Sequence, residues 1–391
     1  MRLALKLAAR GRGATRPNPM VGAVVVCNGR IVGRGFHRGA GQSHAEVLAL
    51  RQAGRRAAGA TLYVTLEPCA HFGRTPPCVE AICAAGIRRL VAAMIDPNPR
   101  NRGRGLRELK RHGIRTTVGV LESQARQLNE VFVTWMTRNR PFVTVKVAQS
   151  IDGKIATRTG NSRWISGPVA REWVHRLRAQ VDAILVGVGT VLKDDPRLTA
   201  RIPFVVLRRR RTRPWRGQTH HEQGKPFTLS LSKGEQGSLK QPVRVILDTY
   251  LRTPSTARIF SSRTPVLIAA GKAAPRKQEE RLRRTGAEIL RLPQQDGRVD
   301  LKALLKELAR REISHLLVEG GGEVIASAFS ARAVDRVHCL IAPKVIGGRQ
   351  APTAVEGRGF ASLDQAIPLT PLRFRRLGPD LLVTADGHWN R

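Results

Sequence analysis

Three residues, His44, Cys69 and Cys78, set the tightest demand on how this chain can fold. His44 opens His44-Ala45-Glu46, and the cysteines close Glu67-Pro68-Cys69 and Pro76-Pro77-Cys78. One imidazole and two thiolates, with a carboxylate two residues after the imidazole, are what a catalytic zinc site needs. Three protein ligands leave the fourth tetrahedral position open to water, and Glu46 can move that water's protons. The flanking residues supply the elements that would bring the ligands together. Ser43 is placed to cap a helix from His44 to about Ala53. Thr61 to Leu66 alternates as a strand that delivers Cys69 just past its end. Pro76-Pro77 then opens a helix from Cys78 to about Ala85. His44 and Cys78 so fall at helix starts, where unsatisfied N–H groups favour negative charge and help keep Cys78 a thiolate. A structural zinc with His71 as fourth ligand is the competing arrangement, and it leaves Glu46 idle beside the metal.

At 391 residues the chain has length for two domains, each with its own core. No apolar run approaches the ~20 residues of a membrane span. Met1 to Ala9 carries Lys6 inside a short apolar stretch, with Leu3 and Leu7 on one face, and reads as an amphipathic helix rather than a signal peptide. The five cysteines (27, 69, 78, 83 and 339) are too few and too uneven for a disulfide framework, which points to a reducing cytoplasm. Cys27, Cys83 and Cys339 lie in apolar runs and read as buried thiols. A net charge of +39 reads first as an Arg bias of the whole proteome, and otherwise as attraction for a phosphate-bearing small molecule or nucleic acid. The basic residues are spread along the whole chain, and aromatics, at 4%, are too sparse for base-stacking platforms. The His-x-Glu and Pro-Cys pattern is nonetheless shared with zinc deaminases of nucleic acids, so an RNA-editing deaminase and a zinc-stabilised RNA-binding protein are the competing functions.

The remaining pattern alternates strands and helices. Val21 to Cys27 and Arg30 to Phe36 form a hairpin about Asn28-Gly29. Leu90 to Ile95 is a strand, followed by the turn Asp96-Pro97-Asn98-Pro99, a helix near Gly105 to His112 and a strand near Arg115 to Val118. Residues 120 to 140 form a helical connector. A second α/β pattern follows, with strands at Phe142 to Ala148, Ala183 to Val186, Arg244 to Leu247, Pro265 to Ala269, Glu288 to Leu292 and His315 to Val318. Helices span Pro168 to Ala179, Asp300 to Arg311, and the stretch from about Glu323 to Ser330. Two glycine runs follow strands here, Gly187-Val188-Gly189-Thr190 and Glu319-Gly320-Gly321-Gly322-Glu323. Glycines between a strand and a helix let backbone N–H groups reach a phosphate. Neither run is a full G-x-G-x-x-G fingerprint, which argues against an ordinary Rossmann domain. Residues 202–241 lose all periodicity around Arg208-Arg209-Arg210-Arg211 and His220-His221 and read as a basic insertion.

Taken together, the two halves resemble the bifunctional deaminase/reductase family of riboflavin biosynthesis. In the first half the resemblance rests on Thr15-Arg16-Pro17-Asn18-Pro19, His44-Ala45-Glu46, Val64 to Cys69, Gly73 to Cys78 and Asp96 to Pro99. The eight residues between Cys69 and Cys78 differ from the C-x-x-C spacing of nucleic-acid deaminases. In the second half it rests on Lys146-Val147-Ala148 with Ser150 to Gly153, Trp164-Ile165, Leu177 to Ala179, Gly187 to Thr190, Asp194 to Pro196, and Val318 to Gly321. Two departures stand out. The family's first helix begins several residues before Met1, and the insertion at 202–241 is longer and more basic than its counterpart.

This resemblance implies a cytidine-deaminase-like α/β/α domain, residues 1–139, followed by a dihydrofolate-reductase-like α/β domain, residues 140–391. It implies one zinc ion per chain on His44, Cys69 and Cys78, with Glu46 as the catalytic acid/base. The first reaction would deaminate 2,5-diamino-6-ribosylamino-4(3H)-pyrimidinone 5′-phosphate, in a pocket lined by Asn18, His37, His71 and Arg74. The second would reduce the ribosyl group of the product to ribityl with NADPH. Cofactor positions would be Ala148, Trp164, Thr190, Asp194, Thr249 and the run Gly321, Gly322, Glu323, Val324, Ile325, Ala326 and Ser327. Lys146, Ser162, Arg178, Leu198, Arg201 and Glu319 would hold the reduced substrate. The family also implies a homo-oligomer, dimer or tetramer.

Overall fold

The computed structural model describes residues 1–73, 75–201, 241–262 and 264–387. The basic insertion, with its Arg run and His pair, and Arg74 lie outside the described residues. The first unit is a five-stranded sheet of β1 (Gly22–Cys27), β2 (Arg30–Phe36), β3 (Thr61–Val64), β4 (Arg89–Ala92) and β5 (Arg115–Val118), in the order β2-β1-β3-β4-β5. β1 runs antiparallel to β2 and β3, while β3, β4 and β5 are parallel. Asn28 and Gly29 both have positive φ, the backbone a two-residue hairpin requires. Six helices accompany this sheet: α1 (Arg2–Ala8), α2 (Ala45–Ala53), α3 (Cys78–Ala84), α4 (Arg104–Arg111), α5 (Glu122–Leu128) and α6 (Glu130–Arg138). Ala45, Ala49 and Ala53 of α2, Ile82 of α3 and Leu109 of α4 meet Leu62 and Val64 of β3 in one core. Burying a side chain such as Leu62 contributes about 1.5–3 kcal/mol.

The second sheet has nine strands: β6 (Phe142–Ser150), β7 (Ala183–Gly187), β8 (Val243–Leu247), β9 (Val266–Gly271), β10 (Glu288–Leu292), β13 (His315–Val318), β14 (Val334–Ala342), β15 (Arg373–Leu377) and β16 (Asp380–Asp386). A small hairpin of β11 (Gln294–Gln295) and β12 (Arg298–Val299) stands apart from it. The order is β10-β9-β8-β7-β13-β6-β14-β16-β15, parallel as far as β14 and antiparallel beyond. Its helices are α7 (Pro168–Arg178), α8 (Val188–Asp194), α9 (Arg276–Arg283), α10 (Leu301–Arg310) and α11 (Gly322–Ser330). Strand alternation divides the apolar residues between two faces. Ala183 and Leu185 of β7 pack with α10 and α11, whereas Ile184 and Val186 pack with α7, α8 and α9. Helices on both faces are why these parallel strands read as continuous apolar runs.

Several sequence expectations are corrected. Ser43 makes no side-chain cap; His44 itself is the N-cap of α2, in extended backbone, and the helix starts at Ala45. The connector is two helices, broken at Asn129, whose side chain accepts from Met20 N (2.8 Å) and donates to Met20 O (3.0 Å). Gly187-Val188-Gly189-Thr190 is not a loop, because α8 begins directly at Val188. Cys27, Cys83 and Cys339 are half-buried rather than buried. Burial still pushes the Cys339 thiol up to about 11, so it stays protonated at neutral pH. No helix among the described residues is long and apolar enough to cross a membrane.

Candidate active sites

The ends of three elements converge at the first site. His44 precedes α2, Cys69 lies beyond β3, and Cys78 opens α3, and their ligand atoms all lie within 4.8 Å of one another. His44 Nδ1 faces both sulfurs, 3.1 Å from Cys78 Sγ and 3.6 Å from Cys69 Sγ. Its other nitrogen, Nε2, is 3.2 Å from the Thr75 hydroxyl, which fixes the ring's orientation. The two sulfurs respond mainly to each other. Contact with Cys78 holds the Cys69 thiol well below its ordinary range, and the same contact pushes Cys78 up. A divalent cation is the group that lets two such adjacent thiols both ionise, so this donor set fits zinc.

Glu46, in the first turn of α2, is 4% exposed, and burial pushes its carboxyl up to about 7. A carboxyl near neutrality can both take and give a proton. His37 is buried, and that burial lowers its pKa, so it is neutral. Its Nδ1 donates to Ser43 O (3.4 Å), leaving Nε2 to accept from Asn18 Nδ2 (3.1 Å). His71 is not part of the ligand cluster. Its Nδ1 is buried without a hydrogen-bond partner among the described residues. These residues line a cavity of about 270 Å³ with Pro17, Thr75, Asp96, Asn98, Phe132, Trp135, Met136 and Glu312.

Behind the cysteines, a hydrogen-bonded frame holds the ligand loop. Glu67 accepts from Asp96 N (3.1 Å), Gly103 N (2.9 Å) and Leu106 N (3.3 Å). Asn101 accepts from Ala70 N (3.0 Å) and donates to Pro68 O (3.2 Å) and Asp96 (3.1 Å). Glu67, Thr75 and Asn101 are absent from the sequence-derived site. Glu67 and Thr75 stand inside the quoted motifs, but nothing local reveals what they bind. Gly105 touches the same frame, since a Cβ there would lie 2.0 Å from Pro68 O. Gly105→Ala is expected to cost about 1–3 kcal/mol and to displace the Cys69 loop. Zinc content per chain, measured by atomic absorption, should fall while NADPH-dependent reduction persists.

The second site lies at the carboxyl ends of β6, β7, β8 and β13, where open parallel sheets bind ligands. Glu319, just after β13, is buried between two cations. Arg178, the last residue of α7, donates to both of its oxygens (2.6 and 2.8 Å), and Lys146 on β6 is 3.2 Å away. Burial alone would raise the Glu319 carboxyl, but Arg178 and Lys146 hold it down to about 2. The two glycine runs lie side by side. A Cβ on Gly187 would meet Val324 at 2.8 Å, and one on Gly320 would meet the Thr190 hydroxyl at 2.9 Å. Both runs end in helix starts, and Gly321 has φ of +73°, which favours glycine.

Ser162 and Asp194 touch at 3.4 Å, and Arg163 caps the Asp194 carbonyl. Trp164 is 63% exposed with Arg171 stacked on its ring. Ala148 is half-buried on β6, and Leu198 is in the core. Arg201 sits beside His175 (3.5 Å). Thr249 follows β8 and accepts from Val299 N (3.3 Å). Glu323 pairs with Arg298 (2.6 Å), Ser327 donates to Glu323 O (2.8 Å), and Ala326 lies under Gly357. Val324 and Ile325 are buried, and both donate their N–H to Gly321 O, so the fold already engages them.

Residues 1–94 match the cytidine and deoxycytidylate deaminase zinc-binding region, and residues 141–383 match the RibD C-terminal domain. Fold and site therefore define a zinc deaminase joined in one chain to a reductase. The chain is 43% identical to the riboflavin biosynthesis protein RibD of Aquifex aeolicus, covering 98% of this chain and 96% of that one. It is 40% identical to RibD of Escherichia coli, covering 99% and 98%. Among solved structures it is similar to Acinetobacter baumannii RibD, with a TM-score of 0.83 and 34% identity over 99% of this chain and 98% of that one. It is also similar to the Thermotoga maritima diaminohydroxyphosphoribosylaminopyrimidine deaminase/5-amino-6-(5-phosphoribosylamino)uracil reductase, with a TM-score of 0.78 and 33% identity, covering 99% and 97%. The chain belongs to the RibD family, and is a bifunctional deaminase and reductase of riboflavin biosynthesis.

Proposed function

We propose that the chain first deaminates 2,5-diamino-6-ribosylamino-4(3H)-pyrimidinone 5′-phosphate to 5-amino-6-(5-phosphoribosylamino)uracil. It then reduces that product with NADPH to 5-amino-6-(5-phosphoribitylamino)uracil. The observation that carries this reading is the pairing of a His44-Cys69-Cys78 cluster beside buried Glu46 with a second, cationic site in the same chain. We place the deaminase in residues 1–139 and the reductase in residues 140–391.

Zinc, held by His44, Cys69 and Cys78, supplies water activation at neutral pH. Glu46 takes a proton from the attacking water and returns one to the departing amine, the two duties its raised carboxyl suits. Asn18, His37 and His71 offer the pyrimidine ring donors and acceptors from the cavity walls. We assign Arg74 to the phosphate on its chemistry alone. At the second site NADPH supplies the hydride. We assign its phosphates to the adjacent starts of α8 and α11, around Thr190, Gly321 and Gly322. We assign Trp164, Asp194 and Thr249 to the same cofactor. Lys146 and Arg178, oriented by Glu319, hold the reacting sugar phosphate, with Ser162 and Arg201 at its edges.

The substrate is a small phosphorylated pyrimidine, and nucleic acid has no part in this account. The cytoplasm is the compartment that suits five cysteines all unpaired by disulfides, and a dimer or tetramer the assembly. Removal of metal separates the two activities. Treatment with a strong chelator is expected to abolish ammonia release and leave reduction of the deaminated intermediate unchanged, with zinc restoring the first. Loss of both activities together would contradict the assignment of zinc to one site only.

A further inference from the structure

The loop that carries Asn18 is built from two domains. Thr15 to Asn18 forms a tight turn closed by Asn18 N–H to Thr15 O (2.9 Å), so the position of Arg16 fixes that of Asn18. Arg16 leaves its own domain. Its Nε donates to Asp182 Oδ1 (2.8 Å) and its Nη2 to Val181 O (3.1 Å), just ahead of β7 in the reductase sheet. Both partners are largely buried, with side chains 13% and 9% exposed.

Asp182 is itself a fixed point. Its other oxygen accepts from Ser314 N (3.0 Å), Ser314 Oγ (2.7 Å) and His315 N (3.0 Å) at the start of β13. Burial works against this carboxylate, yet Arg16 and Ser314 hold its pKa below the ordinary value. On the cavity side, Asn18 and Pro17 line the wall, and Asn18 orients His37. A second part of the cavity lining has the same dual origin. Trp135 of α6 donates to Ala309 O of α10 (3.3 Å), and Glu312, on the turn after α10, lines the cavity beside it.

We infer that Arg16 is a positioning residue for deamination, and that the deaminase pocket is completed by the reductase domain. The inference rests on the reading of Asn18 as a substrate contact. Arg16 is not among the residues that line the cavity and reaches the reaction only through the loop. Its loss should therefore weaken substrate binding rather than the chemical step. Removing Arg16 takes this donor from Asp182 Oδ1 and Val181 O while Oδ2 keeps its three, so Arg16→Ala should lower the Tm somewhat, and Arg16→Lys, which keeps the charge, is the companion variant.

The test uses the full-length zinc-loaded protein and the diamino-pyrimidine phosphate. Arg16→Ala is expected to raise the KM for deamination by about tenfold with kcat within about twofold. Reduction of the deaminated intermediate should keep both constants. Arg16→Lys, which can still reach Asp182, should recover part of the KM. In an Asn18→Ala background, Arg16→Ala should add little further, because both changes act on one contact. An unchanged KM, full additivity with Asn18→Ala, or a parallel fall of kcat in both reactions would each overturn the anchor. If Asn18→Ala alone left KM unchanged, the assignment of Asn18 would fail, and the anchor with it.

Discussion

Glu46→Gln lowers ammonia release by about 10²–10⁴-fold, the usual contribution of a positioned acid/base, while NADPH-dependent reduction of the deaminated intermediate continues at its normal rate. The substitution keeps the shape of a side chain that is 4% exposed, so the core around α2 is not emptied. It removes the group that accepts and returns protons. Because burial already pushes this carboxyl up to about 7, a neutral amide is no harder to bury, and the fold should not suffer. Zinc content by atomic absorption should match the unaltered protein, which separates a catalytic loss from loss of metal. A fall in both activities would mean that the two sites are not independent.

The second large effect is at the buried cations of the reductase. Arg178→Ala leaves the Glu319 carboxylate, 2% exposed, with Lys146 alone, and breaking such a pair costs about 3–5 kcal/mol. Reduction should fall sharply and deamination persist in whatever protein remains folded. The pH dependence follows from the carboxyl's position. With Arg178 present it is held down to about 2, against an ordinary value of 4.5, so it contributes stability that is complete above about pH 4.5 and lost as pH falls towards 2. Without Arg178 only Lys146 opposes the burial, and the carboxyl's pKa rises. The variant's deficit should then be larger at pH 7 than at pH 4.5, which thermal unfolding at the two values can read. An equal deficit at both would show that Glu319 is not what Arg178 neutralises.

What was legible in the sequence divides along a physical line. The zinc cluster was legible because its ligands sit near the ends of local elements, a strand and two helices, of which Pro76-Pro77 and the alternation of β3 mark two. The parallel strands were legible because both faces are covered, leaving continuous apolar runs. β14 to β16 were not. β14 is interrupted by Asp335, Arg336 and His338, whose partners are Arg140, Glu130, Asp386 and Thr384, all remote in sequence. β15 is largely exposed and carries almost no apolar signal. The Lys146–Glu319–Arg178 cluster was readable only as three separate residues, since the contact exists once β6, β13 and α7 are assembled. Thr75 and Glu67 were hidden for the same reason. Each acts on a residue or backbone group that the fold, not the local sequence, brings near.

The order of the two reactions is the central claim, and product mass tests it most directly. Incubated with the diamino-pyrimidine phosphate alone, the protein should give a product heavier by about one mass unit, as an amino group is exchanged for oxygen. With NADPH added, the mass should rise by about two more as the ribosyl group is reduced. A product already two units heavier that still carries its 2-amino group, or no change of mass under either condition, would contradict the account.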